Sequence, residues 1–188
     1  MLTDTQKGAA GEQLLAAAVT LTSDGDLELF KPLSDDDHTD VSVGRRGRVP
    51  ALAVQVKTAL KVDHKGLAVA RMYFSSGTPR EHPAFVYAVV YVVDASIAAA
   101  WLVPSIDFNR LSYRGKGKRG KGLELQFMAS PTRVDRWTPF RCARLETGPR
   151  LLAIIDALPA TRVPRVAGAH LVLLRQAGKS RGVLTKPE

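Results

Sequence analysis

The 188-residue sequence predicts a mixed α/β fold in which a central mixed β-sheet is flanked by helices. Three observations lead there. Helical and strand-like segments follow one another as helix, several strands, short helix, strand and helix. The run "AFVYAVVYVV", residues 84–93, is dense in Val and Tyr, the composition of a buried strand. And 45% of the residues are hydrophobic, enough to give one domain a real core.

Each element has its own signal. "TDTQKGAAGEQLLAAAVTL" reads as the first helix: Thr3 and Gln6 have capping-box spacing, and Ala and Leu sustain the run. Gly8 and Gly11, three residues apart, would leave one side of it narrow enough for close packing. "LELFKPL" is a short strand or an extended connection, and "SDDDHTDVSV" runs from a polar loop into a strand at Asp40. With "GRRGRVP" as the turn and "ALAVQVKTAL" as the next strand, residues 40–58 form a hairpin. "LAVARMYF" continues as strand and "SSGTPREHP" as loop. "AAAWLVP" is a further strand and "SIDFNRLS" a short helix that Ser105 can cap. "LELQFMA" is the last strand. "GPRLLAIIDALP" is an amphipathic helix with Pro149 near its start and Pro159 at its end.

Charge and cysteine content narrow the function classes. The chain carries 27 basic and 18 acidic residues, a net charge of +9. Residues 1–60 hold 9 acids and 6 bases, however, so the acidity gathers at the start and the basicity after it. An acidic patch within a basic protein suits a metal-using enzyme that acts on a polyanion. A single cysteine, Cys142, excludes an intramolecular disulfide and a cysteine-based zinc cluster, and it reads as a small core residue. The beginning of the chain lacks a charged-then-apolar signal pattern, so a cytoplasmic location is expected. The apolar stretch 84–103 approaches the length of a membrane span. Asp94 and Ser96 divide it, and no membrane partner is expected.

In "LAVQVKTAL", residues 52–60, strand alternation puts Leu52, Val54 and Val56 on one face and Ala53, Gln55 and Lys57 on the other. A lysine on the second face of a core strand marks either a solvated edge or a site for chemistry. Three stretches then carry a resemblance: "KGAAGE" in the first helix, "DDDHTD" entering a strand, and "VQVKT" in the next strand. Together they resemble the PD-(D/E)xK nuclease superfamily, the restriction-endonuclease-like fold of Mrr-type enzymes and archaeal Holliday junction resolvases. Within it the chain is most similar to a bacterial group that writes the last motif as Gln-x-Lys. The resemblance implies a restriction-endonuclease-like core over residues 1–158, a DNA partner, and Mg²⁺ or Mn²⁺ as cofactor. By the same token Glu12 matches the helix acid, Asp40 the metal-binding aspartate and Lys57 the motif lysine. Gln55 stands where Asp or Glu is usual, and the backbone carbonyl of Val56 joins the metal ligands. Residues 159–188 would be a basic extension whose composition predicts partial disorder.

The chemistry of phosphodiester cleavage accounts for these residue types. Such a reaction requires an activated water, a cation against the developing charge, and groups that hold both in line. Asp40 can offer one carboxylate to a hard cation, Gln55 a neutral amide oxygen, and Glu12 an acceptor for metal-bound water. Lys57 lies roughly 7 Å beyond Gln55 on the same strand face, where it can orient or deprotonate the water. "DHK" at residues 63–65 also fits the short pattern, but Gly66 and its polar surroundings make it a turn.

Nucleic-acid contact is expected from "RGKGKRGKG", residues 114–122, where Arg114, Lys116, Lys118, Arg119 and Lys121 would meet phosphates along a glycine-loosened loop. Asp35, Asp36, Asp37 and His38 read as a solvated loop, with Asp36 able to draw a cation in. His64, His82 and His170 lack ligand spacing and read as structural, and Trp101 and Trp137 as core. Symmetric cutting of a duplex would require a homodimer. The reading is a metal-dependent DNA endonuclease; the alternative is a catalytically silent nucleic-acid-binding module on the same fold.

Overall fold

A computed structural model of the chain describes residues 2–32, 39–46, 51–117 and 120–159. The expectations for Asp35–Asp37, His38, Lys118, Arg119 and the basic extension, with His170, lie outside the described residues.

The architecture has three layers. The middle one is a six-stranded sheet in the order β1-β2-β3-β5-β6-β9. Its strands are β1 (Leu27–Phe30), β2 (Val41–Arg45), β3 (Leu52–Ala59), β5 (Phe85–Val93), β6 (Ser96–Pro104) and β9 (Arg141–Cys142). All neighbours are antiparallel except β3 and β5, which run parallel, so the sheet is mixed as the sequence predicts. Helices α1 (Asp4–Thr22) and α3 (Thr147–Ala157) cover one face. The other face carries a second sheet of three antiparallel strands, β4-β8-β7, and the short helix α2 (Ser105–Leu111). These strands are β4 (Ala68–Phe74), β7 (Tyr113–Lys116) and β8 (Leu123–Ala129).

Strand periodicity explains the layers. Along β5, Val86, Ala88 and Val90 pack with Leu15 and Val19 of α1 and Leu151 and Ile155 of α3. Phe85, Tyr87 and Val89 alternate to the opposite face, where they join Phe127 of β8, Phe108 of α2, Trp101 and Trp137. A strand covered on both sides reads as an unbroken apolar run, which is why 84–103 approaches membrane length. It is a hairpin: Asp94 and Ala95, both with positive φ, form the two-residue turn between β5 and β6. Among the described residues no helix is long and apolar enough to cross a membrane.

Several local expectations hold. Thr3 Oγ1 accepts from the Gln6 N–H and Gln6 Oε1 from the Thr3 N–H, closing the capping box. Residues 63–65 form a turn, with Asp63 Oδ1 accepting from the N–H groups of Lys65 and Leu67. Cys142, Trp101 and Trp137 are buried. Two expectations change. Ser105 does not cap α2 through its side chain; its hydroxyl donates to the carbonyl of His82 and accepts from the His82 N–H, both at 2.8 Å, which pins the preceding loop. And residues 113–116, expected as loop, are strand β7, paired with β8. The glycines of that stretch serve the turn: Gly117 N–H donates to Gly122 O, and Gly120 and Gly122 take positive φ.

Candidate active site

The site forms where β2 stops short of β3. The two strands pair from Val43–Leu52 to Val41–Val54, and beyond that point the edge of β3 has no β2 residue opposite it. Asp40, the residue before β2, fills the gap with its side chain: its Oδ2 accepts the Val56 N–H at 2.6 Å, while its own N–H donates to Val54 O. In a strand the N–H and C=O of one residue point to the same edge, so the Val56 carbonyl is directed to the edge where the Asp40 carboxylate sits. Thr39, just ahead, is held by the Arg80 guanidinium at 3.3 Å, and Arg80 lies over the Phe85 ring.

Helix α1 brings the second carboxylate. Its position is set by Gly11, where a Cβ would collide with the Thr58 hydroxyl of β3. Only a glycine lets the helix axis come this close, and the next residue, Glu12, thereby reaches the strand edge. Gly8 has nothing within 4 Å of where its Cβ would stand, so close packing rests on Gly11 rather than on the pair.

The result is one cavity of about 490 Å³ lined by Glu12, Asp40, Val56, Lys57, Thr58 and Arg71, together with Asp4, Lys7, Gly8 and two further β4 residues. Lys57 is half-buried there. Gln55 is 9% exposed, lies on β3 opposite Tyr87 of β5, and does not line the cavity. The expected nucleic-acid residues lie elsewhere. Arg114 and Lys116 stand on β7 opposite Leu125 and Leu123, and the Arg114 guanidinium reaches the Asn109 carbonyl at 3.5 Å. Lys121 is exposed beside the turn that follows.

Two cavity-related side chains carry no sequence signal of their own. Lys31 Nζ lies 3.0 Å from Glu12 Oε2, and this hydrogen bond and the Glu12 charge, with a lesser pull from Asp40, raise the Lys31 pKa. A cation therefore already sits against the acidic side of the site. Arg71 enters from β4, a strand of the other sheet; only the tertiary fold brings it to the cavity.

The donor set suits a hard divalent cation: two carboxylates and a backbone carbonyl, all oxygen. Among the described residues no group of three or more His, Cys, Asp or Glu could hold a metal, so a cation here would rest on two carboxylates completed by the backbone carbonyl and water.

No family model matches the chain, and no curated protein does. Among solved structures it is similar to a bacterial homing endonuclease, I-Ssp6803I, at 20% identity and a TM-score of 0.53; the match covers 84% of this chain and all of the other. The chain therefore shares its fold with a solved endonuclease, and in this chain that fold is a mixed α/β core with a central mixed sheet and flanking helices.

Proposed function

We propose that the protein is a metal-dependent DNA endonuclease of the PD-(D/E)xK type, with Glu12, Asp40, Gln55, the Val56 carbonyl and Lys57 as its working groups. The observation that carries this is the shared cavity of Glu12, Asp40, Val56 and Lys57, built at the end of a strand pair on an endonuclease-type fold. Bound Mg²⁺ or Mn²⁺ would supply Lewis-acid polarisation of a phosphoryl oxygen and acidify a water. Asp40 and the Val56 carbonyl would hold it directly and Glu12 through water; Gln55, which does not line the cavity, would join them only if its amide oxygen turned toward the site.

The residues divide the remaining work. The Val56 N–H fixes one Asp40 oxygen, so the carboxylate is oriented before any ligand arrives. Lys57 holds the attacking water or meets the charge growing on the phosphate. Arg71 stands beside it to receive a non-bridging oxygen. The basic β7–β8 turn gives the duplex a second, sequence-independent hold.

A screen of linear, nicked and four-way DNA with Mg²⁺, Mn²⁺ or EDTA tests the reading. Cleavage that requires metal supports it. Retention of DNA without cleavage on any substrate would instead establish the silent binding module, which the Lys31–Glu12 ion pair and the position of Gln55 favour.

A further inference from the structure

The small sheet β4-β8-β7 has an inner face packed on the core and an outer face turned to solvent. The outer face is not the plain polar surface that such a sheet usually presents. Its pairings place Arg71 opposite Gln126 and Gln126 opposite Tyr113, one row across all three strands. Arg136 extends the row, its guanidinium 4.0 Å from the centre of the Tyr113 ring. Tyr73, 40% exposed, stands two residues along from Arg71, and Tyr113 is 55% exposed. Arg71 is held at 3.4 Å by Glu124 yet keeps half of its side chain in solvent.

We propose that this outer face, through Gln126 and Arg136 with Arg71 left to the phosphate, reads base edges in the major groove of duplex DNA; the proposal rests on the nuclease reading above. Three features point to that occupant. The groups are those of direct readout: an arginine fork matches guanine and a side-chain amide matches adenine, each by two hydrogen bonds. The dimensions agree. Same-face residues of a strand recur about 6.8 Å apart, roughly the rise of two base pairs, so neighbouring side chains can meet neighbouring steps. The face is also continuous with the cavity, because Val69 and Arg71 belong to both. A duplex lying on the row would pass its backbone to Asp40 and Lys57, with the basic turn at Lys116 and Lys121 at the far end of the same hairpin. Phosphate contacts would then position the duplex and this row would choose the sequence.

The test is a selection from random duplexes by the full-length protein in EDTA, so that binding is read without cleavage. Wild type should enrich one sequence. Gln126→Ala should relax one position of it, with discrimination there falling about 5- to 150-fold, the range for loss of one two-bond base contact. Arg136→Ala should relax a neighbouring position. Both variants should keep the wild-type melting temperature and bind random duplex within about twofold, since neither change removes a phosphate contact. Enrichment of the same sequence with the same discrimination by both variants would overturn the inference. So would a wild type that enriches nothing; the cleavage screen, which needs no preferred sequence, would still judge the catalytic reading separately.

Discussion

At the scale of single residues, the site is a balance between two carboxylates and the cations that face them. Lys31 is three-quarters exposed, so its pair with Glu12 is worth little to stability, but its charge opposes any metal bound beside Glu12. Lys31→Ala should therefore tighten Mn²⁺ binding by about two- to fivefold, the range of an exposed ion pair, as read by calorimetry; weaker binding would make Lys31 part of the site. Gln55 gives a sharper test. Gln55→Glu places a carboxylate on a nearly buried strand position, so the melting temperature should fall without metal and recover with Mn²⁺. A fall that Mn²⁺ does not reverse would show that the side chain meets no metal. Away from the site, burial pushes the Cys142 thiol up to about 11 and the Tyr87 hydroxyl up to about 12. Both groups stay neutral in the fold while the unfolded chain ionises. Their contribution is thus intact below about pH 9 and is lost as pH rises through 11 and 12. Urea unfolding between pH 8 and 11 should show stability falling from about pH 9, and a Cys142→Ser, Tyr87→Phe double variant should flatten that fall.

At the scale of elements, α1 and β3 carry the geometry, and Gly11 is the contact between them. Gly11→Ala must push the helix off Thr58, which should cost about 1–3 kcal/mol by denaturant titration and displace Glu12. Gly8→Ala meets open space and should instead stabilise the helix by up to about 1 kcal/mol. Equal effects at the two positions would contradict the packing described. Much of this level was legible in the sequence. The capping box, the β2–β3 hairpin and the alternation along β3 follow from local patterns, and they deliver Asp40, Val56 and Lys57 to one edge. The pairing of β4 with β8 rather than with the central sheet was not legible. Both strands alternate with period two, and nothing in that period says which sheet they join. Strand β7 was hidden for a different reason. Its glycines and lysines look like loop composition, yet they supply the positive-φ turn that a hairpin needs.

At the scale of the whole molecule, the fold converts an uneven charge distribution along the chain into a site. The acidic early segment supplies Glu12 and Asp40 from a helix and a strand start; the basic later segment supplies Arg71, which only the docking of the two sheets brings to the same cavity, while the β7–β8 turn stays at the far end of the small sheet. That convergence depends on long-range pairing, which residue spacing does not encode, so Arg71 and Lys31 had no signal in the sequence while the motif residues did. The most direct measurement is metal-dependent cleavage by Asp40→Asn beside wild type. Asparagine keeps an oxygen that can accept the Val56 N–H, so the strand edge should remain folded while the negative charge is removed. With Mg²⁺ or Mn²⁺ present, wild type should cut and Asp40→Asn should lose at least about a hundredfold in rate, at an unchanged melting temperature. Equal cleavage by the two proteins would contradict a metal-dependent nuclease centred on this cavity.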